Sequence, residues 1–188
     1  MGIKEEFTGT SLFGKIAFIL LLVANFCNWI AFCTTEWGKR FTINNNADIF
    51  VGYGIWRICG NQEVSSGCSR TDGWALNWYG AFQAFAIFAF MGINIAFLLV
   101  VLNMFVSKCK NKGDAGLASA IICFVAGGCY LISVIIFGAC FDNTYQSSNL
   151  NPDLGYSFGL AIIALTLAVI GGILLIVEAK KGGGTSPA

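Results

Sequence analysis

The chain has 188 residues, of which 56% are hydrophobic and 11% are charged, and its mean hydropathy is +0.72. Soluble domains carry roughly 25% charged residues, so the composition excludes both a soluble globule of this size and a disordered chain. The net charge of +1 argues against a nucleic-acid-binding protein. The chain contains no His, which removes the commonest general base and zinc ligand. We therefore expect no enzyme activity, no metal and no cofactor.

Four apolar runs without Asp, Glu, Lys or Arg follow one another along the chain. Each is close to or above the roughly 20 residues that cross a bilayer core. Such segments must be helical unless they close into a barrel, and barrel-type alternation is absent. We predict an all-α membrane protein with one tetraspan domain over residues 1–188. The predicted spans are residues 16–33, 80–106, 115–141 and 155–177.

Basic residues predict the orientation, because the cytoplasmic flanks of membrane spans carry an excess of Lys and Arg. The termini and the short loop between spans two and three carry seven lysines, whereas basic and acidic residues balance on the other side. We therefore predict cytoplasmic N- and C-termini and extracellular loops over residues 34–79 and 142–154. The seven lysines are Lys4, Lys15, Lys108, Lys110, Lys112, Lys180 and Lys181.

The polar residues inside the spans are amides, not acids or bases. They either line a polar pathway or form hydrogen bonds between helices, and the second interpretation is favoured because transporters normally carry ionisable residues in the membrane. Paired glycines in spans three and four predict close helix packing. The amides are Asn25, Asn28, Gln83, Asn94 and Asn103, and the glycines are Gly127, Gly128, Gly171 and Gly172.

The first extracellular segment reads as strand. Residues 37–43 and 50–59 are rich in aromatic and β-branched types, and Asn44, Asn45 and Asn46 between them are typical of a turn. A hairpin or a small antiparallel sheet is therefore expected outside the membrane.

Two cysteines of this segment, Cys59 and Cys68, are separated by eight residues that can turn back. An extracellular location permits a disulfide, whereas two cysteines without His make a poor metal site. We predict a disulfide that links two strands and stabilises the sheet. Cys33 and Cys140 lie near the outer membrane edge and are either a second pair or small hydrophobic packing residues.

Several of these residues together resemble a known family signature. Trp37, followed by Gly54-Ile55-Trp56, then Cys59 and Cys68, is similar to the W…G-L-W-x-x-C…C pattern of the claudin superfamily. That superfamily comprises claudins, peripheral myelin and epithelial membrane proteins, and calcium-channel γ subunits. The resemblance covers about residues 12–180. Ile55 replaces the usual Leu, and the Arg that claudins carry shortly after Gln-Ala is absent after Gln83-Ala84, which is closer to the myelin-protein branch.

The resemblance implies a left-handed four-helix bundle capped by a small extracellular antiparallel β-sheet, which Trp37, Gly54, Ile55 and Trp56 would pack onto the helices. It also implies a protein of cell–cell junctions that contributes to adhesion or a paracellular barrier. The alternative is an auxiliary, γ-like subunit of an ion channel or receptor. The expected partners are membrane lipids, other copies of the chain in cis and in trans, and a channel or receptor, but no nucleic acid.

Two further groups of residues are candidate sites. The resemblance implies that charges near the disulfide tune ion passage, but their signs cancel, so we predict no strong selectivity; they are Arg57, Glu63, Arg70 and Asp72. Cys109 lies among lysines at the cytoplasmic end of span two and is a candidate for palmitoylation. Those lysines either meet anionic inner-leaflet lipid or only set the topology.

Overall fold

The computed structural model describes residues 7, 8, 10–44, 47–60, 67–71, 73, 76–106, 113–145 and 151–182. Four helices dominate it, and each is long and apolar enough to cross a membrane. The predicted all-α tetraspan architecture is thereby confirmed. The helices are α1 (Leu12–Cys33), α2 (Asn77–Phe105), α3 (Gly113–Tyr145) and α4 (Tyr156–Gly182).

Some helices extend past the apolar runs that predicted them. The α3 helix continues to Tyr145, beyond residue 141 where the apolar run ends. The side chains of Asn143 and Thr144 donate hydrogen bonds to the carbonyls of Ala139 and Cys140, at 3.0 and 2.7 Å. Polar residues at the helix end therefore bond back onto its own backbone, and the helix does not stop where the hydrophobic signal stops.

A five-stranded sheet with order β4-β3-β2-β1-β5 accompanies the helices, and each neighbouring pair is antiparallel. This confirms the predicted small antiparallel sheet. Its strands are β1 (Gly38–Asn44), β2 (Ala47–Tyr53), β3 (Arg57–Gly60), β4 (Gly67–Arg70) and β5 (Asn151–Leu154).

The sheet differs from the sequence expectation in two ways. The run over residues 50–59 is two strands, because the chain turns where the Gly54 amide donates to the Arg57 carbonyl at 2.8 Å. The fifth strand comes from the second predicted loop and pairs with β1, with Leu154 opposite Gly38. Pro152 lacks an amide hydrogen and is tolerated there because β5 is an edge strand.

Backbone proximity divides the chain into two compact units, and each helix contributes residues to both. The helical unit comprises Met1–Phe26, Ala89–Gly128 and Ala164–Ala188, and the sheet unit comprises Cys27–Phe88 and Cys129–Ile163. Within the helical unit, small residues allow close packing. A methyl group on Gly171 would lie 3.1 Å from the Leu21 side chain, and one on Gly127 would lie 2.9 Å from Val169. Gly128 differs, because nothing lies within 4 Å of its virtual Cβ.

Amide side chains link helices, as expected from the sequence. In the helical unit, Asn25 of α1 donates to Asn94 of α2 at 3.4 Å. In the sheet unit, the Tyr130 hydroxyl of α3 donates to the fully buried Asn28 of α1 at 2.6 Å. These bonds satisfy polar groups that lipid cannot solvate. Gln83 differs, because its side-chain amide donates to the backbone of the segment between β2 and β3 and not to another helix.

Candidate functional site

Trp37 lies between α1 and β1 and anchors the sheet to the helices. Its side chain is fully buried, and its indole nitrogen donates to the Ala31 carbonyl at 2.7 Å. Its ring packs edge-on against Phe82 of α2 and Phe137 of α3, with centroids 4.8 and 5.7 Å away. Phe158 of α4 adds a third edge-to-face partner at 6.2 Å. Edge-to-face pairs stabilise beyond the area they bury, so one indole joins all four helices within the sheet unit.

The backbone next to Trp37 ties together the segment between α1 and α2 and the segment between α3 and α4. The Trp37 amide donates to the Tyr53 carbonyl, and the Gly155 amide donates to the Trp37 carbonyl, each at 2.9 Å. A side chain on Gly155 would overlap the Glu36 carbonyl oxygen. Position 155 therefore requires glycine because two backbones approach closely there.

The loop Gly54-Ile55-Trp56 is held by α2. The Tyr79 hydroxyl donates to the Gly54 carbonyl at 2.5 Å, and the Gln83 amide donates to the Ile55 carbonyl at 2.7 Å. A methyl group on Gly54 would lie 2.6 Å from the Thr35 Cα atom, which is backbone and cannot move aside. Gly54 and Ile55 are buried.

Trp56 is more open than Gly54 and Ile55, with 41% of its side chain exposed. It contacts α1 through Phe32, edge to face at 5.3 Å between ring centroids. Trp56 therefore touches the last turn of α1 on one side and leaves the other side open. Its amphipathic ring suits a membrane–water interface.

A disulfide joins Cys59 and Cys68, which lie directly opposite each other in β3 and β4 with Cα atoms 4.1 Å apart. It fixes the register of the outermost strand pair. Cys33 and Cys140 carry free thiols, so the alternative second disulfide is not formed. Cys33 is exposed, whereas Cys140 is half-buried.

The four candidate ion-pathway charges fall into two groups. Arg57 and Arg70 are exposed and lie directly opposite each other at the start of the β3–β4 pair. Glu63 and Asp72 lie outside the described residues, as does the candidate palmitoylation site Cys109. The described part of the chain thus brings two like charges together.

The two edges of the sheet are unequal. On β4, residues Gly67, Cys68 and Arg70 are exposed, and no other described strand pairs with its far side. On β5, Pro152 removes one donor. Edge strands with unpaired backbone groups favour pairing with another chain, so β4 is the edge suited to strand addition.

Sequence reasoning had not singled out Tyr79 and Gln83 as sheet anchors. The available signal was their four-residue spacing at the start of span two, which places both on one helix face. As for metal chemistry, no cluster of three or more His, Cys, Asp or Glu side chains fit to hold an ion occurs in the described ranges.

Comparison with known proteins places these features in a family. A sequence model described as the PMP-22/EMP/MP20/Claudin family matches residues 7–175. Epithelial membrane protein 1 of Oryctolagus cuniculus is 29% identical over 167 residues, covering 87% of this chain and 99% of the relative. Epithelial membrane protein 1 of Homo sapiens is 28% identical over 139 residues, covering 74% and 82%. The chain is therefore a multi-pass protein of the plasma membrane that belongs to the PMP-22/EMP/MP20/Claudin family.

Proposed function

We propose that this protein contributes to cell–cell contacts, as an adhesion or paracellular-barrier component, through its sheet. The observation that carries the proposal is the combination of a firmly anchored sheet and an open β4 edge. Trp37, Tyr79 and Gln83 fix the sheet to helices, so partner binding meets a preorganised surface, which reduces the entropy lost on association.

A second feature supports the proposal. Phe41 is 45% exposed on β1 and forms an edge-to-face pair with Phe50 of β2, with centroids 6.2 Å apart. Exposed aromatic side chains on a rigid surface are frequent anchors of protein–protein interfaces. The edge of β4 would supply backbone hydrogen bonds and Phe41 apolar contact area, with another copy of the chain as the expected partner.

The test mixes two populations of junction-deficient cells, each expressing the protein fused to a different fluorophore. We expect both colours to concentrate where two expressing cells touch. Cys59→Ser removes the disulfide next to the β4 edge and should abolish that enrichment. Cys33→Ser is the matched control, because Cys33 is an exposed free thiol, and it should leave the enrichment unchanged.

Uniform surface fluorescence of the unmodified protein at contacts would overturn self-adhesion. The alternative function, an auxiliary subunit of a channel or receptor, would then be tested by co-purification with membrane partners. Equal loss of enrichment in Cys33→Ser and Cys59→Ser would show that the disulfide has no specific role in adhesion.

Three further assignments accompany the proposal. The termini are proposed to be cytoplasmic on the strength of the lysine distribution. The charges Arg57, Glu63, Arg70 and Asp72 cancel in sign, which supports weak ion selectivity if the sheet lines a paracellular path. Acylation of Cys109 is proposed because it adjoins a span end rich in lysine.

A further inference from the structure

Two arginines face each other in the strand pair β3–β4. Arg57 and Arg70 are register partners, and both side chains are exposed. Directly opposed like charges destabilise a strand pair. Within the part of the chain that the structure describes, neither guanidinium forms an ion pair. The neighbouring Cys59–Cys68 disulfide holds the two strands in this register.

The arginine pair lies at the end of the sheet that is nearest to α1. The preceding residue, Trp56, packs its ring against Phe32, one residue before α1 ends at Cys33. The Thr71 amide donates to the Trp56 carbonyl at 3.0 Å, so the β3–β4 pair begins next to the residue that contacts α1. Trp29, in the last turns of α1, is 50% exposed. Exposed Trp side chains around the end of a membrane span are typical of the headgroup layer.

We propose that Arg57 and Arg70 together bind the phosphate of a phospholipid headgroup in the leaflet next to the sheet. Guanidinium groups bind phosphate oxygens through two parallel hydrogen bonds each. Directly opposed residues on one sheet face have Cβ atoms about 5 Å apart, so one phosphate contacts both side chains. The bound anion replaces the repulsion between the arginines with two attractions, and Trp56 packs beside the glycerol region. This site goes beyond the adhesive function proposed for the β4 edge, with which it shares Arg70.

The test is a binding titration of the purified full chain in detergent, read by native mass spectrometry. The probes are short-chain phosphatidylcholine, the matching diacylglycerol without a phosphate, and inorganic phosphate. The variants are R57Q/R70Q, R57K/R70K, and the control K39Q, which removes a basic residue two strands from β3. An intact Cys59–Cys68 disulfide and an unchanged unfolding temperature verify that each variant is folded.

We expect phosphatidylcholine to bind at least about tenfold more tightly than diacylglycerol, because hydrogen bonds to charged groups are the strong ones. R57Q/R70Q should remove this preference. R57K/R70K should retain part of it, because Lys keeps the positive charge but lacks the paired N–H donors of the guanidinium. K39Q should retain all of it. Retention of the full preference by folded R57Q/R70Q would overturn the proposal. Inorganic phosphate binding as tightly as phosphatidylcholine would overturn the lipid as the ligand, and equal loss in K39Q would reveal unspecific charge attraction.

Discussion

Replacing Trp37 should produce the largest loss of stability among single changes at the sheet. The indole is fully buried and contacts Phe82 and Phe137, and truncating a buried Trp to Ala costs about 3–5 kcal/mol in the free energy of unfolding. Trp37→Phe keeps a ring but leaves the Ala31 carbonyl without its donor, and a buried unsatisfied acceptor costs about 1–3 kcal/mol. The expected order of stability is wild type, then Trp37→Phe, then Trp37→Ala.

The assay follows unfolding in mixed micelles with a thiol-reactive dye, without reductant so that the disulfide stays intact. Cys123 is free and buried, and it reports unfolding in a background in which the other cysteines outside the disulfide are replaced by Ser, namely Cys27, Cys33, Cys109, Cys129 and Cys140. Trp56→Ala is the matched control, since its ring is 41% exposed with one aromatic contact, and it should cost about 0.5–1.5 kcal/mol. Wild-type stability of Trp37→Ala, or a Trp56→Ala loss just as large, would refute the anchoring role of Trp37.

Three other changes have defined outcomes. Gly54→Ala should lower the free energy of unfolding by about 1–3 kcal/mol, because its new methyl group meets backbone. Gly128→Ala should leave it unchanged or raise it by up to about 1 kcal/mol. Equal shifts in the unfolding temperature of the two variants would contradict this. Cys59→Ser should lower the free energy of unfolding by about 2.5–3 kcal/mol, because the disulfide no longer closes the loop in the unfolded chain. Cys33→Ser should change it by less than about 0.5 kcal/mol. An unchanged stability of Cys59→Ser would contradict the stabilising role of the disulfide. Gln83→Leu should speed amide hydrogen exchange in β2 and β3 but not in the helical unit, and unchanged exchange would remove Gln83 as an anchor.

The helices were predictable because lipid leaves few alternatives. A long apolar run without charges must satisfy its backbone internally, so it forms a helix wherever it occurs. The ends were less predictable, as α3 shows. Asn143 and Thr144 are polar, yet they continue the helix by bonding to the Ala139 and Cys140 carbonyls. Hydropathy marks where lipid contact ends, and that is not where the helix ends.

The sheet was predictable only in its local parts. Aromatic and β-branched residues indicated β1 and β2, but β5 has the sequence Asn-Pro-Asp-Leu, which reads as a turn. It is a strand because β1 supplies its partner across more than 100 residues of sequence. Strand formation of this kind depends on tertiary context and not on propensity.

The candidate site shows a similar division. The family signature singled out Trp37, and the spacing and expected location of Cys59 and Cys68 predicted the disulfide; the structure gives each a physical role. The sequence did not reveal that Gln83 bonds the sheet, because an amide in an apolar run reads equally well as a bond between helices. The opposition of Arg57 and Arg70 was also hidden, because it depends on the register of β3 against β4.

The most direct test of the account is adhesion between vesicles that contain only this protein and lipid. Two vesicle populations with different dyes are mixed, and their co-clustering is counted by two-colour correlation. The account predicts clusters that contain both dyes, that disappear with Cys59→Ser and that persist with Cys33→Ser. Vesicles that remain dispersed with the correctly folded, disulfide-bonded protein on their outer surface would contradict the claim that the sheet mediates adhesion between copies of the chain.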